Sequence, residues 1–175
     1  MTTIDLIVLG IVKQEPLSAY DIQKLVEYRN ISKWVKISTP SIYKKVIKLE
    51  EKGYIKSTMV KEGKMAEKAV YSLTDEGEME FETLMLGISS HPINIFLDFN
   101  AVIVNLNSLS PENKKACLRN IEDNVKTLKS YLEDNINCKE NLPEIPETGK
   151  AVLQQQFILA QAIEAWLKSV KVNIV

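Results

Sequence analysis

The stretch that decides the fold runs from Ile37 to Val60 and reads ISTPSIYKKVIKLEEKGYIKSTMV. Ile42, Val46 and Leu49 recur at the spacing of one helix face, with Tyr43 and Ile47 widening the apolar stripe. Pro40 stands at the first helical position, where its missing N–H does no harm, behind Ser38 or Thr39 as the cap. Gly53 follows the last helical turn, as a residue that must leave the helix with a positive φ. Ser41, Lys44, Lys45, Lys48 and Lys52 lie off the stripe, so the outer face begins with small polar groups and continues basic. YIKSTMV and AVYSLT, rich in β-branched and aromatic residues, then read as two short strands. The connection between them, KEGKMAEK, reads as a polar hairpin tip carrying Lys61, Lys64 and Lys68.

Upstream, Ile4 to Val12 is apolar on most sides and predicts a helix that must be buried. Pro16 closes it, and Ser18 with Asp21 forms an acidic variant of a capping box for a second helix over about Ala19 to Asn30. That helix carries Ile22, Leu25 and Val26 inward and Asp21, Lys24, Glu27 and Tyr28 outward. Downstream, Thr74 caps a further helix with Asp75 and Glu76 in its first turn. Three more helical segments are expected: Pro92 to Leu109, Pro111 to Asn137, and Gly149 to Ile174. In the middle one, Leu118, Ile121, Val125, Leu128 and Leu132 repeat as a heptad seam suited to antiparallel pairing with a neighbouring helix or a subunit mate. The fold class expected is mostly α: a winged helix-turn-helix domain over residues 1–87 and a C-terminal antiparallel helical domain over residues 92–175.

The charge has a place of its own. The chain has 175 residues and a net charge of −1, yet between Lys24 and Lys68 twelve basic residues face five acids. This segment carries +7 and the rest of the chain −8, the asymmetry expected of a polyanion-binding module joined to a part that need not touch the polyanion. In a winged helix the third helix enters the major groove and the hairpin beside it lies along phosphates, so Lys44, Lys45, Lys48, Lys61, Lys64 and Lys68 are candidate contacts. Ser41 and Ser38 are candidate donors to bases or phosphates, and Lys24 extends the basic surface.

Other classes find little support. No apolar run reaches the roughly 18 to 20 residues of a membrane span, and Asp5 inside the first apolar stretch argues against a secretory leader, so a cytoplasmic protein without membrane partners is expected. Cys117 and Cys138 lie far apart with no histidine near them, so neither a disulfide framework nor a zinc site is expected. With one histidine and no glycine-rich phosphate loop or nucleophile–base pair legible, neither catalysis nor a cofactor is expected. A winged helix that binds only proteins is the alternative, and the basic third helix argues against it.

Three motifs in order resemble the PadR-type transcriptional regulators: LGIVKQEPLSAYDI at Leu9 to Ile22, ISTPSIYKKVIKLEEKGYI at Ile37 to Ile55, and KAVYSLTDEG at Lys68 to Gly77. The remainder resembles the long C-terminal helices of the larger members. The resemblance implies a homodimeric regulator, a repressor, on a pseudo-palindromic duplex DNA operator, with Tyr20, Ser38, Ser41, Tyr43, Lys44 and the wing around Lys64 facing DNA. It also implies dimerisation through the C-terminal helices and the first helix. Ile7, Ile11, Leu118, Ile121, Val125, Leu128, Leu159, Ile163, Trp166 and Val170 are the candidates. A small-molecule effector near the domain junction is the remaining implication, with Trp34 and His91 as its candidate residues. The resemblance departs at the wing tip, where Lys64-Met65-Ala66-Glu67-Lys68 replaces an Arg/Pro-rich turn, leaving no arginine there to enter a minor groove.

Overall fold

A computed structural model describes residues 2–61, 67–143 and 145–174, without the side chains of the last three. The chain divides into two compact units, residues 1–93 and 94–175.

The first unit runs α1 (Thr3–Gln14), α2 (Ala19–Tyr28), a 3-10 turn (Ile31–Lys33), a second 3-10 turn (Thr39–Ser41), α3 (Ile42–Glu51), β1 (Ile55–Val60), β2 (Lys68–Leu73) and α4 (Asp75–Ser89). Helices alternating with one small hairpin in this order make a winged helix-turn-helix. Val8 and Leu9 of α1, Ile22 and Val26 of α2, and Ile42, Val46 and Leu49 of α3 are all but inaccessible to solvent and form one core with Ile55 of β1. Each helix ends for a local reason. Ser18 Oγ accepts from the Asp21 N–H at 3.2 Å and donates to its carboxylate at 2.7 Å, capping α2. At the end of α3, Tyr54 N donates to Leu49 O and Gly53 N to Glu50 O, with Gly53 at φ +76°, the paired closure that needs a residue without a Cβ.

The wing is a two-stranded hairpin tied to this core at two points. β1 and β2 pair antiparallel with Ile55 opposite Leu73 and Val60 opposite Lys68. Leu17 adds a bridge to Tyr71, their backbone groups exchanging bonds of 3.2 and 2.9 Å. Glu50 of α3 accepts from Ser57 N of β1 at 3.1 Å. Beyond β2, Thr74 Oγ1 accepts from Gly77 N and donates to Gly53 O, locking the start of α4 onto the end of α3. Here the backbone comes so close that a Cβ on Gly77 would stand 1.9 Å from the Tyr54 carbonyl oxygen.

The second unit consists of α5 (Asn100–Asn105), a 3-10 turn (Leu106–Ser108), α6 (Pro111–Lys139) and α7 (Glu147–Ile174). The helix expected over Pro92 to Leu109 is reduced to α5 and its 3-10 turn; residues 92–97 have no regular structure. Ile93, Ile95 and Phe96 are exposed there, and a short segment without a surface to bury its apolar face gains too little to hold a helix. Lys129 pairs with Glu164 at 2.7 Å and Lys171 with Glu122, and two pairs whose numbers run in opposite directions make α6 and α7 an antiparallel hairpin. Leu118, Ile121, Val125 and Leu132 of α6 are buried along with Ala160, Leu167 and Val170 of α7, and Phe99 stacks on Trp166 with centroids 5.9 Å apart.

Candidate nucleic-acid interface

The outer face of α3 is built by the same periodicity that builds the core. With Ile42, Val46 and Leu49 turned inward, Tyr43, Lys44, Ile47, Lys48 and Glu51 face solvent. Among the described residues, Lys44 and Lys48 have no ion-pair partner. Ile47, expected in the buried stripe, is instead 52% exposed. Three residues in seven already fill the space between α1, α2 and α3, and Ile47 lies a further 100° around the helix from Val46. It is the one aliphatic side chain on that outer face, and the signal for it was the helical angle rather than hydrophobicity.

The turn leading into α3 also differs from expectation. Neither Ser38 nor Thr39 caps the helix through its side chain; the segment Thr39–Ser41 is a 3-10 turn, closed by Ser41 Oγ donating to Ser38 O at 2.6 Å. Ser41 uses its proton to hold the turn. Ser38 is exposed and its hydroxyl makes no hydrogen bond to the described residues.

Lys45 leaves the surface set. Its Nζ lies 2.9 Å from Asp5 Oδ1 and 3.1 Å from Thr2 Oγ1, pointing along the core edge to the start of α1 rather than outward. Burial alone would raise the Asp5 carboxyl. The hydrogen bonds from Lys45 and Thr2, together with the Lys45 charge, overcome this and hold it below the ordinary aspartate value.

On α2, Tyr20 and Lys24 are exposed beside each other, with the ammonium 5.6 Å from the ring centroid. Lys24 also donates to Glu27 at 2.9 Å, and that bond and charge keep its ammonium above the ordinary lysine value. Its charge is therefore largely compensated. Lys68 at the start of β2 stands 3.6 Å from Asp21. Lys61 is exposed at the same end of the wing, just beyond Val60, which pairs with Lys68, and Lys56 is exposed near the start of β1. Lys64 lies outside the described residues. Lys33 and Lys36, in the connection from α2 to α3, are also exposed and add to the basic surface without a motif to mark them.

The candidate effector residues separate. Trp34 is partly buried against the core of the first unit, while His91 is exposed just beyond α4. Of the candidate dimer residues, Ile11 is buried within its own unit and Ile7 packs against the same core. Leu118, Ile121, Val125 and Val170 are covered inside the second unit, so the α6 seam is closed by α7 of the same chain. Ile163 is partly buried in that packing. Leu128, Leu159 and Trp166 retain 45%, 40% and 39% exposure.

Residues 8–83 match the transcriptional regulator PadR-like family. Over these residues the chain is PadR-like. That family is one of transcriptional regulators, not an enzyme class. The whole chain is similar in fold to Bacillus subtilis PadR in complex with operator DNA, at 23% identity, with 97% of each chain covered and a TM-score of 0.81. It is similar to the same Bacillus subtilis protein in complex with p-coumaric acid, at 20% identity, covering 97% of this chain and 96% of that one with a TM-score of 0.78. The virulence activator AphA of Vibrio cholerae matches at 19% identity, with 96% of this chain and 95% of that one covered and a TM-score of 0.71. No curated protein sequence matches. No helix among the described residues is long and apolar enough to cross a membrane.

Proposed function

We propose that this PadR-like chain is a homodimeric repressor that binds a pseudo-palindromic operator through α3 and the wing, and that a small molecule or another signal releases it. The observation that carries the reading is the outer face of α3, where Lys44 and Lys48 project without an ion-pair partner among the described residues, from a helix anchored by three buried side chains. Unpaired ammonium groups on a rigid helix release counterions when they meet phosphates, whereas paired ones must first lose a partner. Ile47 stands between them, an apolar group of the kind that meets a thymine methyl in the major groove. Tyr43 lies on the same helix, Ser38 precedes it, Tyr20 is exposed on α2, and the loop-side end of the wing brings Lys61 and Lys68. Leu128, Leu159 and Trp166 supply the apolar surface for a second copy. The operator-bound and p-coumaric-acid-bound Bacillus subtilis PadR support duplex DNA and a small phenolic-acid class of ligand as partners for this fold.

The experiment is selection of duplex fragments bound by the purified protein from its source genome. The expected result is a site with two-fold symmetry whose half-sites lie about 34 Å or a multiple of that apart. Replacing thymine by deoxyuridine within it should weaken the wild type at one or more positions and leave Ile47→Ala insensitive at those positions. Recovery of random fragments with no shared sequence would leave only non-specific binding and defeat the repressor reading.

A further inference from the structure

A charged group buried at the edge of an apolar core needs a reason, and Asp5 is 4% exposed. Capping α1 does not supply that reason, since a capping acid at the third helical position works equally well in water. The two carboxylate oxygens are divided between two elements. Oδ2 accepts from Thr2 N at 2.6 Å and Thr2 Oγ1 at 2.9 Å, which closes the first turn of α1. Oδ1 faces Lys45 Nζ from the middle of α3 at 2.9 Å, and the same ammonium donates to Thr2 Oγ1. The three groups form a closed triangle linking positions 43 residues apart in sequence.

We infer that Asp5 is a positioning residue for α3: by gripping Lys45 from the inner side of the helix it sets the helix's rotation, and so the direction in which Lys44, Ile47 and Lys48 point. A buried ion pair adds little net stability, because desolvating both charges offsets most of their attraction, but it does select one register over its neighbours. Rotating α3 by one residue would swing its side chains through about 100° and leave the Asp5 carboxylate buried without a cation. The apolar contacts of Ile42, Val46 and Leu49 resist such a rotation more softly, as aliphatic side chains repack. This inference rests on the DNA-binding reading, and it makes Lys45 act through Asp5 rather than through a phosphate.

The test compares Asp5→Asn, Lys45→Met and the double variant for affinity to the selected operator across a salt series, under conditions where circular dichroism shows each folded. Both single variants should lose about tenfold in operator affinity with the salt slope unchanged, and the double should be no worse than either single, as expected of one coupled unit. A slope shallower by about 0.9 for Lys45→Met, with Asp5→Asn unaffected, makes Lys45 a phosphate contact and overturns the inference. Wild-type affinity in Asp5→Asn overturns it too. Should Asp5→Asn fail to fold, Thr2→Val removes the shared hydroxyl from the exposed end of the triangle and should lower affinity in the same slope-independent way. Hydrogen exchange of the free protein separates the two readings. Faster exchange of the Ile42–Glu51 amides in Lys45→Met, with α6 unchanged, supports the grip on α3, and unchanged exchange overturns it. Failure of the wild type to bind any duplex overturns the DNA reading, and the function of the grip with it.

Discussion

Two amphipathic helices, α3 and α6, treat their lysines in opposite ways. In α3 the outward Lys44 and Lys48 have no acidic partner among the described residues, while in α6 Lys126 and Lys129 pair with Glu122 and Glu164. Lys171 of α7 adds a second cation to Glu122. Its hydrogen bonds, with those of Lys126, lower the Glu122 carboxyl despite partial desolvation, and Lys129 lowers Glu164 in the same way. Both helices are lysine-rich, but Lys126 and Lys129 in the middle of α6 are paired, whereas Lys44 and Lys48 of α3 are not paired among the described residues. The difference teaches that basic composition marks a nucleic-acid surface only after internal pairing is subtracted, and within α3 itself the subtraction removes Lys45.

The largest expected effect is structural. Gly77→Ala places a methyl against the Tyr54 carbonyl, which cannot move without separating α4 from the end of α3. The expected cost is more than about 3 kcal/mol. Urea unfolding should show the first unit melting early while the α6–α7 hairpin holds its helicity; a small shift would mean that the backbone there yields.

Next comes the charge contrast. Lys44→Ala with Lys48→Ala should reduce the magnitude of the log–log salt slope of DNA binding by about 1.8, two contacts' worth. Lys126→Ala with Lys129→Ala should leave it unchanged, since those ammonium groups already have carboxylate partners. Equal slopes for the two double variants would erase the distinction between the helices.

The smallest effect concerns pH. The folded Asp5 carboxyl lies below its ordinary value of 3.8, so its contribution to stability is fully present above that value. It is lost as pH falls through the lowered folded value. The stability difference between wild type and Asp5→Asn should therefore be flat from neutral pH down to about 5 and shrink below about 4. A difference that persists undiminished through the acid range would show that the carboxylate's charge is not what holds Lys45.

Much of the first unit was legible along the chain. Ile42, Val46 and Leu49 at helical spacing, Ser18 and Thr74 as caps, and Gly53 as a stop are each local decisions of a few residues, and the structure shows each of them. The second unit was less readable. Its heptad pattern identified α6, but a seam of leucines does not say whose helix covers it, and α7 of the same chain does so for Leu118, Ile121 and Val125 while leaving Leu128 half exposed. Ile11 was similarly ambiguous, because a helix apolar on most sides looks alike whether its own unit or a second copy buries it.

What the sequence by itself determined is therefore the set of elements, their order and the sign of the charge on α3, because periodicity, capping and turn chemistry act within a few residues of one another. Tertiary structure alone decided that Lys45 turns in to Asp5, that Ile47 turns out between two lysines, and that Glu164 of α7 pairs with Lys129 of α6. Those outcomes depend on groups distant in the chain competing for the same space and the same charge, and no local spacing records which of them meet.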